Sequence, residues 1–308
     1  MDCLTALNKE FFSRLEIEGA DRARVLQGRL GWPSDQLFKE AIRDNLVMNA
    51  DVTVDDINRA EAIYGKSVPL IRGKMVRKRT EHLSNITRIQ IPAPLLEHHP
   101  DDELDIDFLY IQGAPYLLSK THKIKFQAVQ CFNKISNKVK ERTTYKRGPK
   151  EIIAGIKKVI QMYVTRGFTI NAVHGDNEFR KLENKLEVHV NICAARQHIP
   201  RIERGIRTLK ERVRCCWVSL PYRKAPKLMV DENVIDMTSC LNDLPHKEGI
   251  SRTLSPAMIV LGRNTPDCHR LKVTFGAYCE VYIGTTNTSE QRSVGAIALR
   301  PSSNDKGY

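Results

Sequence analysis

Residues 104–120 read LDIDFLYIQGAPYLLSK. LDIDFLYI alternates enough for a β-strand. Gly113-Ala114-Pro115 is a turn signal, and YLLSK makes a second strand. The connection is tight, so the pair is expected to be an antiparallel hairpin. Asp107 sits between apolar neighbours on the first strand. A carboxylate buried there is costly unless it is paired or bound to a metal ion. Asp105 lies two residues earlier and faces the same way. Either residue is the ligand with the other an edge charge, or both lie on the solvent face of an edge strand.

Outward from this hairpin, strands and helices alternate. HKIKFQAVQCF (122–132) makes a third strand. PKEIIAGIKKVIQMYVTRG (149–167) is a helix with Ile152, Ile156, Val159, Ile160 and Tyr163 on one face and Gly167 as its stop. FTINAVHGD is a fourth strand ending at Asp176, and LEVHVNIC a fifth. The helix IPRIERGIRTLKERVRC follows, and after Pro221 the chain is helical again over MVDENVIDMTSCLNDLP. Three strands, a helix and then alternating strands and helices is the order of the ribonuclease H-like fold. The fold class is therefore α/β, a mixed sheet flanked by helices.

Residues 1 to about 64 read as a small helical module. LTALNKEFFSRLEI, DRARVLQGRLG and SDQLFKEAIRDN carry helical periodicity, and Thr53 opens a helix that stops at Gly65. Residues 66–103 are basic and broken by prolines, as a linker is. The expected division is 1–94 for the helical module and linker, 95–225 for the core, and 226–308 for a helical, strand-like and loop-rich extension.

The chain has 308 residues, with 49 Lys and Arg against 36 Asp and Glu and a net charge of +13. That balance favours a polyanionic partner. No run of apolar residues is long enough to span a membrane. The amino terminus lacks the basic and apolar regions of a secretory signal. The eight cysteines are scattered without CxxC, so they read as reduced thiols of an intracellular protein. His98-His99 and Cys268-His269 have no second pair at zinc-ligand spacing.

Three carboxylates carry the chemistry: Asp107 on a strand, Asp176 at a strand end, and Glu203 on a basic helix. Two Mg²⁺ or Mn²⁺ ions need hard oxygen ligands converging from separate elements. Strand ends are where open α/β sheets place their chemistry, and Gly175 lets the backbone turn there. The structural alternative for Asp176 is an Asx turn. Arg207 and Lys210 share the helix face of Glu203 and suit the phosphates beside a scissile bond. The alternative is a surface helix with an i,i+4 ion pair. Two basic stretches bracket this site. The first includes Lys123 and Lys125; the second, residues 201–227, includes Arg204, Arg207, Lys210 and Arg214. These six cations are the expected nucleic-acid contacts.

The segments DFLYIQGAPYLL, GDNEF, QHIPRIERGIRTLKERVR, SPAMIVLGR and FGAYCEVY resemble the integrase region of copia-type retrotransposon polyproteins. DDINRAEAIYG and LIRGKMVRKR resemble its pre-integrase segment. The resemblance implies a ribonuclease H-like DDE enzyme that processes 3′ ends and transfers DNA strands with two divalent metals. Asp107, Asp176 and Glu203 would be the metal ligands, and Arg207 and Lys210 DNA contacts. It also implies a homo-oligomer and, in a eukaryote, the nucleus. This chain departs from the pattern in several places. Only 27 residue steps separate Asp176 from Glu203. Gln197 and Arg201 stand where the group usually has Glu. Trp32 and Ala50 fall near where a His and a Cys of a zinc module would be, so no structural zinc is expected. The chain ends at SSNDKGY with no reverse transcriptase after it, which reads as a polyprotein fragment or a truncated copy. The alternative function is a catalytically decayed or repurposed DNA-binding module, and a further one is an RNA-directed nuclease.

Overall fold

The structure, a computed structural model, describes residues 2–76, 88–132, 134–135, 144–145, 147–193, 199–266, 271, 273–284 and 289–301. Lys138, Lys140, Arg142 and Lys146 of the first basic stretch, Gln197, the Cys268-His269 pair and SSNDKGY lie outside these residues. The chain forms two compact units: Met1–Thr80 with Ala277–Ala298, and Glu81–Gly276 with Leu299–Tyr308.

The first unit contains α1 (Asp2–Lys9), α2 (Arg14–Arg29), α3 (Asp35–Arg43), α4 (Val54–Tyr64) and α5 (Val68–Lys74). The periodicity over residues 4–17 suggests one continuous helix, but the chain breaks between α1 and α2. Ser13 is the reason. Its side chain caps the Glu16 N–H while the Glu16 carboxylate accepts from the Ser13 N–H, which starts a new helix. Thr53 and Asp56 make the same reciprocal cap on α4, and Gly65, at φ +70°, ends it. Ala20, Ala23, Phe38, Ile57, Ala60 and Ile63 form the core. A ribbon of Tyr278–Tyr282 and Ser293–Ile297 belongs to this unit, where Glu280 pairs with Arg72 at 3.1 Å.

The second unit opens with α6 (Ala93–His98) and continues with β1 (Asp101–Ile111), β2 (Ala114–Thr121), β3 (Gln127–Cys131) and the short pair β4 (Lys134–Ile135) and β5 (Thr144–Tyr145). Then come α7 (Pro149–Val164), β6 (Thr169–Gly175), β7 (His189–Ile192), α8 (Pro200–Ser219), α9 (Lys227–Asn242) and α10 (Pro256–Leu261). The five-stranded sheet has the order β3-β2-β1-β6-β7. β2 runs antiparallel to both β1 and β3, whereas β6 and β7 run parallel to β1. This is a ribonuclease H-like mixed sheet.

The hairpin turn is Gln112-Gly113, with φ values of +48° and +77°, and it closes on the Ile111–Ala114 pair. Two consecutive left-handed residues match the twist of the strands. The turn thus lies ahead of the Gly-Ala-Pro signal, and Pro115 sits inside β2. The third strand starts later than its apolar pattern suggests. Residues before Gln127 form a loop held by Asp102, which is buried and accepts the backbone N–H groups of His122, Lys123 and Ile124 at 2.8–3.0 Å.

Helices cover both faces of the sheet. Leu104, Ile106 and Leu117 pack with Ile152, Ile156 and Tyr163 of α7 and with Ile259 and Val260 of α10. Leu109, Ile111, Tyr116 and Leu118 pack with Ile202, Leu209 and Val213 of α8 and with Val230 and Val234 of α9. Strand alternation therefore puts Glu103, Asp105 and Asp107 on the α8 side of β1.

Candidate functional site

Asp107 is half-buried on β1, and its Oδ1 accepts from the Phe108 N–H at 2.6 Å. Burial pushes its carboxyl up to about 6, and the charges of Asp176, Glu178 and Glu203 push the same way. The charges of the other two acids read from the sequence, and of a fourth, thus act on the Asp107 carboxyl.

Each neighbour arrives for a local reason. Asp176 leaves β6 at the start of a 3₁₀ turn, Asn177–Leu182. Its side chain makes no capping hydrogen bond there, so the Asx-turn alternative does not account for it. Gly175 permits the approach, because a Cβ on it would stand 2.9 Å from Phe179 Cδ2 and 3.1 Å from Ile106 Cγ1. Phe179 anchors the turn by stacking on Phe108 at 5.1 Å between ring centroids. Glu203 lies exposed in the first turn of α8. Ile202, Leu209 and Val213 are buried about a quarter of the way round that helix from Glu203, which fixes its rotation.

The choice between Asp105 and Asp107 has a geometric answer. Asp105 is fully buried, and its two oxygens are taken by His122 Nε2 at 2.5 Å and Arg201 Nε at 3.2 Å. Asp107 is the one whose carboxyl feels the charges of Asp176, Glu178 and Glu203. Arg204, Arg207 and Arg214 are exposed along α8, and Lys210 is half-buried. Lys123 and Lys125 each have an acidic neighbour: Asp101 at 3.0 Å and Glu248 at 3.9 Å.

Two features were not read from the sequence. Glu178 adds its charge to the acidic group, and its place in DNEF was the available signal. The second is a polar chain beside the site. Glu103 Oε2 lies 3.1 Å from His122 Nδ1 and 2.9 Å from His174 Nε2, and the two imidazoles stack with centroids 5.2 Å apart. Glu103 follows the alternation of the acidic β1 face. The two histidines had no local signal, since only the fold brings them to it.

No protein-family model matches the chain, and no curated protein does. Solved structures do. The catalytic core domain of BIV integrase is 16% identical over 51% of this chain and 92% of its own, with a TM-score of 0.34. The HTLV-2 integrase catalytic core domain, solved with magnesium in a trimeric form, is 14% identical over 53% of this chain and 95% of its own, also with a TM-score of 0.34. At that level of likeness, the roles of individual residues rest on this chain's own geometry.

Proposed function

We propose that the second unit is an integrase-type phosphoryl transferase acting on DNA, with its core over residues 95–225. The observation that carries this reading is Asp107, half-buried on β1, on whose carboxyl the charges of Asp176, Glu178 and Glu203 act together. Carboxylates whose charges act on one another repel, and hard divalent cations are the partners that offset such charge. The donor set therefore fits two Mg²⁺ or Mn²⁺ ions, held by Asp107, Asp176 and Glu203. When bound, such ions polarise the phosphoryl group and activate the attacking oxygen. The protein's own contribution is placement. β1 carries Asp107, the turn after β6 carries Asp176, and α8 carries Glu203. Arg207 and Lys210, one and two turns along α8 from Glu203, would hold backbone phosphates, with Arg204 and Arg214 extending the track. Kinship to copia-type elements, 3′-end processing, self-association and a nuclear location belong to the same proposal. The GDNEF and IPRIER segments support the kinship, and the rest follows from it.

The test is a DNA strand-transfer assay with Mg²⁺ or Mn²⁺. The full chain is expected to join DNA ends, and Asp176→Asn to bring joining down to background. Equal joining by the variant would place the chemistry elsewhere. Salt-sensitive DNA binding with no joining in either metal would leave the chain a non-catalytic binding module.

A further inference from the structure

We propose that Glu103, His122 and His174 form a binding site for a divalent transition-metal ion, zinc by its donor set, separate from the Asp107 cluster. One oxygen and two imidazole nitrogens, from β1, the β2–β3 loop and β6, all lie within 4.8 Å of one another. The two contacts to Glu103 Oε2, 3.1 Å and 2.9 Å, are close to the spacing of tetrahedral zinc ligands. Donors about 2.0–2.1 Å from zinc stand roughly 3.4 Å apart. Small side-chain rotations would admit the ion.

The surroundings support ligation as well as spacing. A ligating histidine usually gives its other ring nitrogen to a carboxylate, which fixes the ring and raises its basicity. Asp105 does this for His122 through Nε2. Arg201 in turn holds Asp105, and the loop carrying His122 is pinned through its backbone by Asp102. The side-chain amide of Asn191 lies 3.5 Å from His174 Nδ1, leaving Nε2 directed at Glu103. The charge around His122 points the same way. His122 faces a carboxylate at each ring nitrogen, and an ionised carboxylate only accepts. Carboxylates on two sides of the ring make this a favourable place for a cation.

Two His and one Glu is a zinc donor set that leaves a fourth position open. The side chains are 44% exposed for Glu103, 12% for His122 and 19% for His174, so that position opens to solvent on the Glu103 side. It would take water or an oxygen of a bound ligand. The site is unlike a closed His-His-Cys-Cys module, in place and in donors.

The experiment adds Co²⁺ to the metal-free full chain as a spectroscopic substitute for zinc. One equivalent is expected to give the intense visible bands of a four-coordinate site, displaced by Zn²⁺. Glu103→Gln, isosteric and at a partly exposed position, and His174→Ala should each weaken Co²⁺ binding by at least about tenfold. Asp176→Asn should leave the bands intact, which separates this site from the proposed catalytic ions. Circular dichroism checks that each variant is folded, and Glu103→Gln alone decides if His174→Ala is not. Absence of the bands overturns the proposal. So does a sulfur-to-cobalt charge-transfer band that persists in Glu103→Gln, since that would mean cysteine ligation.

Discussion

Asp107 couples burial to charge. Its carboxyl is raised to about 6, so between the ordinary carboxylate range and about 6 the native chain holds a proton that the unfolded chain has released. Stability from this group is present below the ordinary range and is lost as pH rises through about 6. Asp107→Asn removes that loss. The variant's melting temperature relative to the native chain should therefore be higher at pH 7 than at pH 4, as thermal unfolding without divalent ions would show. Asp236, also raised to about 6 by burial, is present in both proteins and cancels. A flat difference across pH would mean that neither burial nor the acidic neighbours raise the Asp107 carboxyl. The sequence favoured Asp107 but left Asp105 open as the ligand, because both face one side of one strand. Arg201 and His122 separate them, and neither is a sequence neighbour.

Elements were largely legible where their signals are local. The apolar stripe of α8 gave its helix and its buried side, and the run ending at Asp176 gave β6. Boundaries failed where a side chain outside the pattern intervened: Ser13 splits the first helix, and Asp102 holds a loop where alternation suggested strand. Two glycines make the contrast quantitative. A Cβ on Gly205, within α8, would meet Lys120 Cδ at 3.3 Å, the middle of a flexible side chain that can give way. Gly205→Ala should stabilise the chain by about 0.5–1 kcal/mol through helix propensity. A Cβ on Gly175 would press on the buried Phe179 ring and Ile106. Gly175→Ala should cost about 1–3 kcal/mol by overpacking and displace the Asp176 turn. Urea denaturation of both variants checks the opposite signs.

At the scale of the whole molecule, charge is the dominant property. A net charge of +13, with exposed arginines along α8, predicts DNA affinity that falls steeply with salt. Arg207→Ala and Lys210→Ala should each weaken binding across sequences and reduce the slope of log affinity against log salt by about 1. Lys123→Ala should change it less, because Lys123 already pairs with Asp101. Fluorescence anisotropy over a salt series distinguishes them, and equal effects would mean that the Asp101 pair does not compete with DNA. Among the described residues no helix is long and apolar enough to cross a membrane.

The sequence by itself determined the order of strands and helices, the excess of positive charge and the three acids. These are properties of nearest neighbours and short periods, and period 2 or 3.6 is written along the chain. Only the tertiary structure decided that those acids share one electrostatic neighbourhood, that Asp105 is withdrawn from it, and that Glu103 meets two histidines. Those outcomes depend on the parallel register of β1 with β6, which sets Asp105 beside His174. Such a register is fixed by packing between segments remote in sequence, and no local pattern records it.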